Sequence, residues 1–187
     1  MNLANLSETE LKEALMLKEK LDGFDTQDKC QNDFLFYVEH MWPEFICGRH
    51  HKIFAEKLNK VATGEIKRLI VNMPPRHTKS EFASTYFPSF IMGKKPKMKI
   101  MQTTHTGELA VRFGRKVRNL MDQKEYKEVF PEVKLQADNK SAGRWETNKG
   151  GEYFAAGVGG AVTGRGADLL IIDDPHSEQD AMSPNAL

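Results

Sequence analysis

Leu69-Ile70-Val71-Asn72-Met73-Pro74-Pro75-Arg76-His77-Thr78-Lys79-Ser80 decides how the chain is read. Three branched apolar residues run into a turn with two prolines, and the turn ends in Lys-Ser where a helix is expected to begin. A strand, a turn and a helix joined at Lys-Ser is the layout of a phosphate-binding loop. In G-x-x-x-x-G-K-[ST] the backbone N–H groups wrap the phosphates, the lysine neutralises the outer ones, and the hydroxyl holds Mg²⁺. Lys79 and Ser80 fit that pattern, whereas Met73 and Thr78 stand where its two glycines belong. Such a loop requires a second site downstream that holds the metal.

Asp168-Leu169-Leu170-Ile171-Ile172-Asp173-Asp174-Pro175 supplies a candidate. An apolar run reads as a buried parallel strand, and acids at its carboxyl edge suit a hydrated Mg²⁺. Ligands of open α/β sheets gather beyond those edges, where the Lys79 loop also emerges. Just upstream, Gly157 to Gly166 holds five glycines in ten residues. That run is read as a functional loop whose backbone can approach a ligand closely.

Between these sites the pattern alternates. A strand is expected over Arg68–Met73, and a helix from Lys79 that Pro88 shortens to about nine residues or kinks. A second strand is expected over Lys99–Thr104, a helix over Thr106–Asp122, and a strand over Glu152–Ala156. On the 106–122 helix Arg112, Arg115, Lys116 and Arg118 form either a wet face or a phosphate-backbone contact. Upstream, Cys30–Trp42 reads as a buried aromatic helix, and Gly48-Arg49-His50-His51 opens an amphipathic helix ending before Gly64. Ser7 to about Leu21, with Ser7 and Glu10 as a capping box, reads as a separate short helix. Gly23 to Gln27 is expected to break it. Cys30, Cys47, His50 and His51 carry atoms that bind zinc, but no C-x-x-C pair organises them. The fold expected is therefore α/β, a parallel sheet with helices on both faces. It divides into an N-terminal helical appendage (1–28) and a core (29–187).

Bulk properties narrow the classes. The chain of 187 residues has room for one full-sized domain with an appendage. A net charge of +1 excludes a polycation that binds nucleic acid by overall charge, so any such contact is local. Two cysteines are too few for a disulfide framework, no signal peptide is evident, and no apolar run nears the roughly 18 residues of a membrane span. These features point to a reducing cytosolic setting without a membrane.

Arg68 to Ser80 together with Thr163 to Pro175 resembles the large terminase subunit of tailed bacteriophages, the ATPase that drives DNA into the capsid. The likeness covers roughly residues 34–180. It implies a P-loop NTPase core of the ASCE, RecA-like type, truncated here before its last strands and without the nuclease domain. In that family Pro or Ser precedes Arg in a deviant loop, so the missing first glycine is expected. Glycine is common at the position of Thr78, and a threonine there is expected to weaken phosphate binding.

Carried over residue by residue, the resemblance implies that Pro75, Arg76, His77, Thr78, Lys79 and Ser80 hold ATP. Lys79 would contact the β- and γ-phosphates, Ser80 and Asp173 would hold Mg²⁺, and Arg76 would face the γ-phosphate as charge develops. The family's usual catalytic Glu is replaced by Asp174, shorter by one methylene, with Glu178 as the alternative base. Arg165 is either a finger reaching a neighbouring subunit's nucleotide or a structural arginine bonded within the Gly-rich loop. Arg49 and His50 fall where the family packs on the adenine. The partners implied are double-stranded DNA, the portal protein, the small terminase subunit and further copies in a ring, a pentamer, on the procapsid, in the host cytoplasm. A helicase-like DNA-translocating ATPase and a non-hydrolysing nucleotide-binding module are the other readings that the residues permit.

Overall fold

The computed structural model describes residues 8–160 and 164–176. Five strands form one open sheet: β1 (Lys99–Thr104), β2 (Leu135–Lys140), β3 (Arg144–Thr147), β4 (Glu152–Gly157) and β5 (Leu169–Ile172), in the order β2-β3-β4-β1-β5. β4, β1 and β5 run parallel, whereas β2 and β3 are antiparallel additions. The chain is thus α/β with a mixed sheet. The expectation of a wholly parallel sheet fails because Glu146 to Gly151 closes a tight hairpin. There Thr147 N–H donates to the carbonyl of Gly151 and Gly150 takes φ 86°.

Among the described residues seven α-helical segments accompany the sheet: α1 (Glu8–Asn32), α2 (Phe34–Met41), α3 (Arg49–Thr63), α4 (Lys79–Glu81), α5 (Phe87–Lys94), α6 (Gly107–Asp122) and α7 (Lys124–Val129). They pack on one face, where Ile100, Tyr153, Ala155 and Ile171 join the core. Helices on both faces were expected, but Met101, Phe154, Leu170 and Ile172 point the other way under no helix among the described residues. Leu170 and Ile172 remain 53% and 58% exposed. Alternation along each strand makes this division, since neighbouring residues face opposite sides. No helix among the described residues is long and apolar enough to cross a membrane.

The segment expected as the first strand, Arg68–Met73, is not one. Leu69, Val71 and Met73 pack against the core while Ile70 is 88% exposed, so side chains alternate as in a strand. Its backbone enters no ladder with a described strand. Periodicity supplies the alternation; a ladder needs a partner.

Helix boundaries also move. Gly23 does not end α1, which runs on to Asn32, because its position is open and costs only about 1 kcal/mol relative to alanine. α1 stays exposed as far as Phe24, with Leu15, Met16, Leu17, Leu21 and Phe24 more than half exposed. Its carboxyl end is tied down where the Gln27 and Gln31 amides donate to the Val129 carbonyl. The expected Ser7 cap lies outside the described residues. Asp33 caps α2 by accepting from Phe36 N–H at 2.8 Å, which contributes about 1 kcal/mol. Phe34 then meets the rings of Phe82, Phe87 and Phe90, each at 5.5 Å, fixing α2 on the helix that follows the Lys79 loop.

Pro88 does not stop that helix. Phe82–Tyr86 is one π-helical turn between α4 and α5, in which Phe87 N–H reaches back to the Phe82 carbonyl. Proline offers no N–H, and the wider turn absorbs the mismatch before α5 begins.

Candidate functional site

Lys79 opens α4 at the carboxyl end of the sheet, and β5 delivers Asp173 and Asp174 to the same place. The Lys79 ammonium lies 2.5 Å from Asp174 Oδ1 and 3.8 Å from Asp173 Oδ1. Asp173 is 6% exposed; its Oδ2 accepts from the Ser84 hydroxyl at 2.9 Å, and its N–H donates to the Thr103 carbonyl of β1. Asp174 is largely in solvent, held through its carbonyl, which accepts from His105 N–H. One aspartate is therefore fixed beneath the loop, and the other is exposed and paired with Lys79.

Three non-glycine residues among those described have a left-handed backbone: Arg76 (φ 63°), Thr78 (φ 62°) and Asp174 (φ 45°). All three belong to this cluster. Each costs of order 1–3 kcal/mol, most for a β-branched residue such as Thr78, and such strain persists only where the surroundings over-determine it. Thr78 thus takes the conformation that a glycine would take freely, a substitution the sequence pattern flags but does not explain.

Across the loop stands the start of α3. Gly48 N–H donates to His51 Nδ1 at 2.8 Å, His51 Nε2 lies 2.7 Å from Thr78 Oγ1, and the Thr78 hydroxyl donates to the His77 carbonyl at 2.6 Å. His77 Nδ1 donates to the Pro75 carbonyl at 2.8 Å, drawing the turn tight. His51 is nearly buried between Phe45 and Phe82, with ring centroids at 4.7 and 5.2 Å. Burial, aided by the neighbouring His50 and His77, lowers its pKa from the ordinary histidine value. It is a neutral imidazole near pH 7.

Of the residues singled out from the sequence, Pro75 to Ser80, Asp173 and Asp174 come together. His50 joins them, its ring 5.6 Å from that of His77, while Arg49 is exposed at the start of α3 without a described partner in the loop. Ser80 and Asp173 offer oxygen donors only, the set that suits Mg²⁺, and the Ser80 hydroxyl makes no hydrogen bond among the described residues. No group of three or more His, Cys, Asp or Glu side chains gathers as a metal site among the described residues, so the zinc reading of Cys30, Cys47, His50 and His51 falls away. Glu178 lies outside the described residues.

Arg165 lies elsewhere. Its guanidinium is 4.2 Å from the Phe154 ring centroid and 3.3 Å from Glu152 Oε1, at the amino end of β4. Glu152 begins the strand that Gly157 ends, roughly 17 Å away at 3.3 Å per residue. Arg165 therefore does not join the Lys79 cluster of its own chain.

Two residues bonded to this cluster escape a reading by motif. Ser84 follows Ser80 by four positions, a same-face spacing that gives no hint of Asp173. His51 sits on the apolar stripe with Phe54, Ala55, Leu58 and Ala62, and that stripe signals burial. Comparison with family models, with curated proteins and with solved structures returned no match.

Proposed function

We propose that the chain is the ATPase region of a phage DNA-packaging motor, a large terminase subunit that hydrolyses MgATP at the Lys79 loop. The observation that carries this reading is the meeting of Lys79 with Asp173 and Asp174 across 95 positions of sequence. A loop lysine beside paired acids at the carboxyl edge of a parallel strand is an arrangement that serves nucleotide hydrolysis. The resemblance of the two segments to the terminase loop and acid strand narrows the substrate from any phosphate to ATP and the task to DNA movement.

The roles follow from charge and reach. The N–H groups of Lys79, Ser80 and Glu81 precede the first helical bond, from Phe82 N–H to the Thr78 carbonyl, and are available to phosphate oxygens. Phosphates compete with Asp174 for the Lys79 ammonium, and the released Asp174 carboxylate is then able to accept a proton from the attacking water. Asp173 stays in place because Ser84 holds its other oxygen. Arg76, exposed and without a described partner, is suited to meet charge that grows on the transferring group. Mg²⁺, held by Ser80 and Asp173, would neutralise β- and γ-phosphate oxygens.

Phosphate release from MgATP, measured on the complete protein with and without Lys79→Ala, tests the reading. Turnover that disappears in the variant is the expected result. Equal turnover in both proteins would overturn the assignment.

A further inference from the structure

We infer that His51 is a positioning residue of the nucleotide loop: through Thr78 it locks the loop into the conformation that receives phosphate. This inference rests on the reading of the loop as a nucleotide site, although its own geometry stands apart from that reading.

The hydrogen bonds leave one consistent assignment of protons. Gly48 N–H can only donate, so His51 Nδ1 carries a lone pair and the proton sits on Nε2. The Thr78 hydroxyl gives its proton to the His77 carbonyl and accepts from His51 Nε2–H. Every donor in the relay then meets an acceptor, from the first turn of α3 to the loop. Phe45 and Phe82 hold the imidazole in place from either side.

The relay accounts for the odd residue of the loop. A glycine enters the left-handed region without help, whereas Thr78 at φ 62° is strained. Its hydroxyl is what a glycine lacks, and that hydroxyl is the atom His51 grips. Thr78 and His51 therefore work as a pair, threonine supplying the handle and histidine the fixed point. Holding Thr78 fixes the direction of the Lys79 and Ser80 N–H groups that follow it.

Five proteins decide the matter: the parent chain, His51→Ala, Thr78→Gly, the double variant, and His51→Gln as the conservative replacement that retains an N–H donor. Two readouts are taken, affinity for a fluorescent ATP analogue with Mg²⁺, and the rate of tryptic cleavage after Arg76 without nucleotide. His51→Ala should weaken binding roughly tenfold and speed cleavage, while in the Thr78→Gly background the same change should have a much smaller effect. His51→Gln should recover part of the loss in both readouts. Equal effects of His51→Ala in the two backgrounds would overturn the inference, as would a variant that behaves like the parent in both readouts. If the parent binds no nucleotide, the nucleotide reading fails by itself, and the cleavage cycle alone then decides whether His51 holds Thr78.

Discussion

At the carboxyl end of the sheet Lys79 is shared between Asp173 and Asp174, while at the amino end Arg165 is shared between Glu152 and the Phe154 ring. Both ends thus pair a cation that the sequence singles out with carboxylate, brought from 95 positions away at Lys79 and from 13 at Arg165. The backbone separates them. Near Lys79 the left-handed positions fall on Arg76, Thr78 and Asp174, whereas beside Arg165 the left-handed position is Gly164, where no Cβ objects. On the function proposed above, the strained carboxyl end is the working end. The amino end instead combines relaxed geometry with an aromatic platform under Arg165.

The contrast sharpens most through Asp173. Asp173→Ala should cut MgATP turnover about a hundredfold or more, whereas Ser84→Ala, which leaves the carboxylate present but less restrained, should cost about tenfold or less. Phosphate-release rates check both, and the order of the two matters more than either value. Equal losses would mean that Ser84 acts in its own right rather than through Asp173.

A smaller effect concerns pH. The titratable groups facing His51 are His50 on α3 and His77 in the loop, while Phe45 and Phe82 bring no charge. Because the folded pKa lies below the unfolded one, the unfolded chain binds the extra proton first. The contribution of His51 to stability is therefore complete above about pH 6.5 and declines as pH falls from there toward the lowered folded pKa. Urea midpoints measured between pH 7.5 and 5 should fall with acid more steeply in the parent than in His51→Gln. Parallel curves would show that the imidazole is not held neutral.

Smallest is the response to Arg165→Ala. Its ion pair is partly open to solvent and its cation–π contact is single, so the chain should lose only about 0.5–1 kcal/mol in a urea titration. Nucleotide affinity should not change. A collapse of turnover at unchanged stability would break the comparison and assign Arg165 to the working end of a neighbouring chain.

Much of the layout was legible in the residues because local patterns set it. The Lys-Ser joint, the apolar run ending in Asp-Asp, and the 3.6-residue stripes of α3 and α6 all lie in short windows. What escaped depends on partners. Arg68–Met73 alternates correctly yet is no strand, because pairing is a property of the neighbour and not of the segment. The outer faces of β1, β4 and β5 have apolar runs that read as doubly buried, and only the path of the chain reveals that helices cover one side. Gly23 reads as a breaker and Pro88 as a stop or a kink, but an open surface position tolerates the first and a π-helical turn the second. In the site, Lys79, Asp173 and Asp174 were visible by motif, whereas His51 and Ser84 act through single hydrogen bonds to residues 27 and 89 positions away. No spacing within a segment announces such bonds.

The central claim is that the Arg76–Ser80 loop and Asp173 together receive the phosphates of ATP. A crystal structure with a non-hydrolysable ATP analogue and Mg²⁺ tests it most directly. The expected result is a triphosphate lying over the Arg76–Ser80 backbone, Lys79 turned from Asp174 to the phosphates, and one Mg²⁺ served by both Ser80 and Asp173. An analogue bound elsewhere, or a loop that keeps Lys79 on Asp174 at saturating analogue, would contradict it.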